Sequence, residues 1–261
     1  MDLFAVISAF FQTAVLAVML FFAIRLLIKN TDSLTAVFLS FFYGLWFLSD
    51  LYWLIYDILR PDVRMPFAAN EIGEAGMLLM LAAILNSAVP HGSGAATKQV
   101  IGAVIFAISN VVLWIAWSGE WVQDIITGLV FVWLLSSAVC ALKVVHALSK
   151  KEWILFGTYC AALIAGQGLT FFFADPVKSY IDTGCYVLIS LSIMYWLVKM
   201  IVSFTKRSSA KKLISLSVTN IVWLSVALYM SAGMYYNIFF YIETVCAIIV
   251  YLAARKVVNE S

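Results

Sequence analysis

The stretch SDLYWLIYDILRPDVRMPFAANEIGEAG, Ser49 to Gly76, places four carboxylates, Asp50, Asp57, Glu71 and Glu74, along two apolar runs and the segment between them. In the first run Trp46, Asp50, Trp53 and Asp57 recur at spacings of 4, 3 and 4, which puts them on one stripe of a helix. Tyr52 and Tyr56 form a neighbouring stripe. Carboxylates flanked by Trp and Tyr faces are chemistry for holding an organic cation, because ring quadrupoles and negative charge both attract it. The second run sets Asn70 four residues before Glu74, and Glu71 three before it. Ala69, Gly73 and Gly76 give that run a small face on which another helix can approach closely. One more acid, Glu243, lies inside the last apolar run of the chain.

The elements that must position these residues follow from composition. Of 261 residues, 64% are hydrophobic and 11% charged, against about 25% charged in soluble domains. A water-soluble globule of this size must still cover its surface with polar groups, so the expected fold is all-α, a polytopic transmembrane helix bundle forming one integral membrane domain over residues 1–261. A span needs about 20 mostly apolar residues, and nine spans are predicted: 3–28, 35–59, 68–90, 99–117, 121–142, 153–174, 180–204, 213–232 and 235–254. Pro61, Pro66, Pro90 and Pro176 fall in or beside the gaps, where helix breakers belong. The N-terminal run lacks a basic leader and a small-x-small cleavage site, so it reads as the first span rather than a signal peptide. Cys140, Cys160, Cys185 and Cys246 all sit in apolar runs without a CxxC pair and read as small core residues.

Charge sets an orientation. With the N-terminus outside and nine spans, the inner side receives Arg25, Lys29, Lys98, Lys143, Lys150, Lys151, Lys199, Lys206, Arg207, Lys211, Lys212, Arg255 and Lys256, or 13 of 16 basic residues. Arg60, Arg64 and Lys178 fall outside. This bias matches the excess of Lys and Arg in cytoplasmic loops and predicts N-out, C-in in the cell membrane. The acids sort the other way, with only Asp32, Glu152 and Glu260 of 14 inside. Acids contribute little to topology, so their outward placement calls for a different cause.

Helix rise gives depth. Asp50 lies about 13 Å from the outer end of the second span and Glu243 about 12 Å into the ninth, at 1.5 Å per residue. A charge near the bilayer centre costs about 2.5–3.5 kcal/mol on insertion scales, so such groups face protein or water. Asp50, Glu74 and Glu243 are the strongest candidates for that situation. The segment between the second and third spans is short, which makes them antiparallel neighbours, with Asp57 and Glu71 at the mouth and Asp50 and Glu74 below. A competing reading assigns Asp57 and Glu71 to interfacial solvation, and Tyr52, Tyr56, Tyr180, Tyr235 and Tyr236 to the aromatic belt. Trp46 and Trp53 lie too deep for the belt. Gln12, Asn110, Gln167, Asn220 and Asn237 read as interhelical hydrogen-bond partners.

The run Asp50-x2-Trp53-x2-Tyr56-Asp57, then Pro66 and Asn70-Glu71, resembles the multi-pass membrane sensory modules found ahead of bacterial diguanylate cyclase domains. The resemblance covers residues 46–74 and departs in that no cyclase segment follows. It implies sensing of a ligand or of membrane state through this helix pair, with output through a separate signalling partner.

Three functions are weighed, beside a purely structural or assembly role in which partner helices satisfy the acids. The first is a binding or sensory protein with an outward-facing, acidic, aromatic-lined cavity for a small cationic ligand. Its ligand-binding residues would be Asp50, Glu74, Glu243, Trp46, Trp53, Asp57, Glu71 and Tyr56. The second is a proton- or cation-coupled secondary transporter using one of these carboxylates, for which the inner half offers Ser136, Ser137, Ser190 and Ser192 but no acid path. The third, an intramembrane enzyme, is disfavoured because His91 and His146 both fall in expected loops, leaving only a carboxylate pair. No cofactor, metal or nucleic-acid partner is expected. The partners are the lipid bilayer, the small molecule and a signalling protein at the cytoplasmic loops.

Overall fold

A computed structural model describes residues 3–59, 69–90, 97–118, 121–230 and 234–260. Among them lie nine helices: α1 (Leu3–Lys29), α2 (Leu34–Leu59), α3 (Ala69–Ala88), α4 (Thr97–Ser118), α5 (Trp121–Val144), α6 (Lys150–Leu169), α7 (Val177–Thr205), α8 (Ala210–Met230) and α9 (Met234–Glu260). They stand where the nine apolar runs stand. Seven are long and apolar enough to cross a membrane; α6 is not among them, and the apolar stretch of α3, Ile72–Ala88, is shorter. The protein is an all-α, multi-pass membrane protein whose exposed apolar side chains, such as Phe10, Phe21, Ile28, Leu129 and Leu191, meet lipid. Two ends depart from expectation. Helix α6 stops at Leu169 instead of 174, where Thr170 turns its hydroxyl back onto the Gln167 carbonyl at 2.7 Å. Helix α9 runs on to Glu260, because the basic residues that end an apolar window do not end a helix.

Local chemistry explains several termini. Ser33, Ser149 and Ser209 each accept a backbone N–H from the first turn of α2, α6 and α8, which satisfies a donor the helix cannot. At Ser149 the cap is reciprocal, since Glu152 also accepts from the Ser149 N–H at 2.7 Å. After α5 and α7 the chain turns through His146 and Arg207 at φ 48° and 49°. The N–H groups of Ala147 and Ser208 then reach back to the carbonyls of Leu142 and Ser203, the closing bond of a Schellman turn.

Helix α8 is the centre, with 78% of its apolar span buried against 28–50% for the other six. It packs against α9, α7, α5 and α3. Its Ser215, Ser217, Thr219 and Ser225 hydroxyls each donate to the carbonyl four residues earlier, which lets polar side chains sit in an apolar core. Trp223 of α8 meets Phe106 of α4, Phe156 and Tyr159 of α6 at ring separations of 5.3 to 5.7 Å, so one indole ties three helices together. Around this centre α2 packs on α1, α3 and α9.

Cross-helix hydrogen bonds fix the register. Ser8 donates to the Tyr241 hydroxyl at 2.8 Å, so α1 and α9 start at the same end. Thr35, early in α2, bonds Ser87, late in α3, at 2.9 Å, which makes that pair antiparallel as expected. Asn86 of α3 donates to Ser137 of α5 at 3.0 Å. Tyr43 of α2 donates to the Ala247 carbonyl of α9 at 2.6 Å. Asn220 donates to the Trp196 carbonyl at 3.3 Å, as the interhelical partner it is expected to be.

The α4–α5 seam is closed at Gly128, where an added Cβ would run into the Val111 side chain. At Gly157 on α6 the same Cβ meets nothing within 4 Å. Gly128→Ala is therefore expected to cost about 1–3 kcal/mol by overpacking. Gly157→Ala is expected to stabilise by up to about 1 kcal/mol through helix propensity. Chemical unfolding of the two variants in detergent measures both signs.

Candidate functional site

The site grows from the closeness of α2 and α3. A Cβ on Gly73 would lie 3.1 Å from the Ser49 Cβ and 3.3 Å from the Leu45 carbonyl, and one on Gly76 would lie 3.0 Å from Leu45 Cδ1. The small face of α3 thus lets the two backbones approach, and it sets position 73 against position 49. The next residues along each helix are Glu74 and Asp50. They are electrostatic neighbours, and both interact with Glu243 of α9. Three acids from three helices, Asp50, Glu74 and Glu243, therefore form one cluster.

Their settings differ. Glu243 is buried, with 6% of its surface exposed. Asp50 is half-buried, with Oδ2 enclosed and without a hydrogen-bond partner among the described residues. Glu74 is exposed on the flank of α3. Asp50 stands nine residues from the end of α2 and Glu243 nine from the start of α9, so both sit about 13 Å inside the same end of the bundle. Among the described residues neither has a basic side chain paired with it. No three His, Cys, Asp or Glu among the described residues are arranged to hold a metal ion.

Helix α1 brings Gln12 to the Glu243 carboxyl, and α8 brings Ser225. Gln12 is fully buried, and neither its amide nitrogen nor its oxygen closes a hydrogen bond among the described residues. Asn110 is similar in part, since its amide donates only to Phe106 of its own helix while Oδ1 stays unpaired among the described residues. Neither Gln12 nor Ser225 was among the candidate site residues. The signal for Gln12 is a lone amide in an otherwise apolar span, nine residues from the start of α1 and level with Asp50 and Glu243.

The aromatic residues of the α2 stripe divide. Trp46, one turn inward of Asp50, is buried with its ring 5.3 Å from Phe42. Trp53 is half-buried and meets Tyr56 edge-on at 6.4 Å. Tyr52 and Tyr56 stack at 5.7 Å, and the enclosed Tyr56 hydroxyl has no partner among the described residues. The side chains of Asp57, Glu71 and Asn70 lie outside the described residues, as do Pro61, Pro66 and His91.

A second charged group occupies the opposite end. Glu152, in the first turn of α6 ahead of its apolar stretch, accepts from Tyr195 at 2.8 Å and from the Lys199 ammonium, and Lys199 also donates to the Tyr195 hydroxyl at 3.1 Å. This triad joins α6 to α7. Partial burial by itself would push the Glu152 carboxyl up; the hydrogen bonds from Lys199, the Ser149 backbone, Tyr195 and the Ser149 hydroxyl together outweigh it and hold the group at about 2.

No protein-family model matches the chain, and no curated protein or solved structure is similar to it.

The lowered Glu152 value gives a pH dependence with a definite sign. Its contribution to stability is complete above the usual carboxylate value of 4.5 and is lost as pH falls toward about 2. Glu152→Gln is expected to lower stability by about 1 kcal/mol at neutral pH, the scale of a partly exposed ion pair. The gap between wild type and variant should close between pH 4.5 and 2 in unfolding titrations. A gap that persists at the acid end contradicts the assignment.

Proposed function

We propose that this protein is a ligand-binding, sensory protein of the cell membrane that holds a small cationic molecule at the acid cluster of α2, α3 and α9. The observation that carries the reading is the meeting of Asp50, Glu74 and Glu243, with no basic residue paired to Asp50 or Glu243 among the described residues. Each carboxylate this far into a span costs about 2.5–3.5 kcal/mol on insertion scales. A bound cation offsets that cost by supplying the missing countercharge, and it gives the acids a reason to be there.

The bundle end that carries the acids is opposite the end that carries Lys29, Lys143, Lys206 and Arg255, and the positive-inside bias supports an outer side for the acids. Asp50 is the deep counter-ion, Glu243 the facing carboxylate and Glu74 the exposed acid at the rim. Trp53 and the Tyr52–Tyr56 stack supply aromatic surface, with Trp46 behind them and Asp57 and Glu71 further out along the same two helices. Occupancy would act on the α2–α3 pair, and the basic end would pass the change to a separate signalling partner.

Asp50→Asn keeps the shape and removes the charge. It is expected to abolish binding of organic amines, read as the loss of their thermal shift on detergent-purified protein, while leaving the ligand-free melting temperature within a few degrees of wild type. An Asp50→Asn protein that binds like wild type sinks the counter-ion role.

A further inference from the structure

We propose that the inner end of this site is a subsite for a primary ammonium group, with the Gln12 amide oxygen as one of its acceptors. The inference rests on the cation-site reading and adds the chemical class of the cation. Gln12 is 0% exposed, turns its amide to the Glu243 carboxyl and leaves its Oε1 without a partner among the described residues. A buried amide oxygen left unsatisfied is costly and calls for a missing partner. Asp50 Oδ2 is a second enclosed atom in the same condition.

An ammonium group has three N–H donors and no acceptor. The site offers oxygens on three helices, Gln12 of α1, Asp50 of α2 and Glu243 of α9. With the Gln12 NH2 turned to Glu243, its Oε1 is left for the ligand, so a single –NH3+ satisfies the amide and neutralises charge together. A quaternary ammonium carries no N–H and would leave Gln12 as it is. It is also better suited to a cage of ring faces, whereas Trp46, the ring one turn inward of Asp50, is taken up against Phe42. A divalent ion lacks the three-ligand group it needs among the described residues.

The test compares n-butylammonium with butyltrimethylammonium, which share charge and alkyl chain. Both are titrated calorimetrically into the detergent-solubilised full chain, as wild type and as Gln12→Met. Wild type is expected to bind n-butylammonium at least tenfold more tightly than the trimethylated ion. Gln12→Met is expected to lose that preference while its ligand-free melting temperature rises, because an unpaired amide has been replaced by an apolar group of similar length. A purely structural Gln12 would not move affinity and stability in opposite directions. Equal binding of the two ions by wild type, or a preference that Gln12→Met retains, overturns the ammonium subsite and leaves the cation site standing. Binding of neither ion by wild type overturns both. Should Gln12→Met fail to fold, Gln12→Asn, whose shorter amide cannot reach, takes its place with the same expected loss of preference and the same overturning result.

Discussion

A carboxylate enclosed by helices with no basic side chain against it is the constraint on which the rest of this structure turns. In a bilayer the backbone is satisfied within each helix, and side-chain polar groups must find partners among their neighbours. Most of this protein obeys. The hydroxyls of α8 bond their own backbone, Tyr43 reaches α9, and the Asn86 amide donates to Ser137. Asp50 Oδ2 and the Gln12 amide are left without a hydrogen bond among the described residues, at one depth and on two helices in contact, with the buried Glu243 of α9 beside them.

Close backbone approach creates the cluster. Without a side chain at 73 or 76, α3 settles onto Ser49 and Leu45, and Glu74 comes beside Asp50. Bulk at either glycine would separate the helices and pull the acids apart, so the small residues serve the site although they carry no chemistry. Helix α9 is held from two sides, by Tyr43 of α2 and by Ser8 of α1. Those bonds keep Glu243 in place opposite the α2–α3 pair.

The other end of the bundle is built on a different balance. There Glu152 is paired and helix ends are capped: Ser149 and Glu152 cap the start of α6, Lys199 and Tyr195 bind the same carboxylate, and Lys256 donates to the Ser208 carbonyl at 2.9 Å. The acid Glu152 is satisfied within the chain at this end. At the acid end Asp50 and Glu243 have no basic partner among the described residues.

The sequence by itself determined that the chain is a helical membrane bundle, where its nine helices lie, and that Asp50 and Glu243 sit deep in theirs. Those properties depend on runs of apolar residues and on a fixed rise per residue, which are local and additive along the chain. The spacing of Trp46, Asp50 and Trp53 was likewise legible, but whether each ring lined a site or filled the core was not, and Trp46 went to the core against Phe42. Only the tertiary structure decided that Gln12 faces Glu243, that Glu74 stays exposed beside Asp50, and that Glu152 is bound by α7. These neighbours are joined across up to some 230 residues of chain, as Ser8 and Tyr241 are, and the rotation of each helix about its axis decides who meets whom. That rotation is set by how side chains from all the helices fill the space between them, which no single stretch of sequence contains.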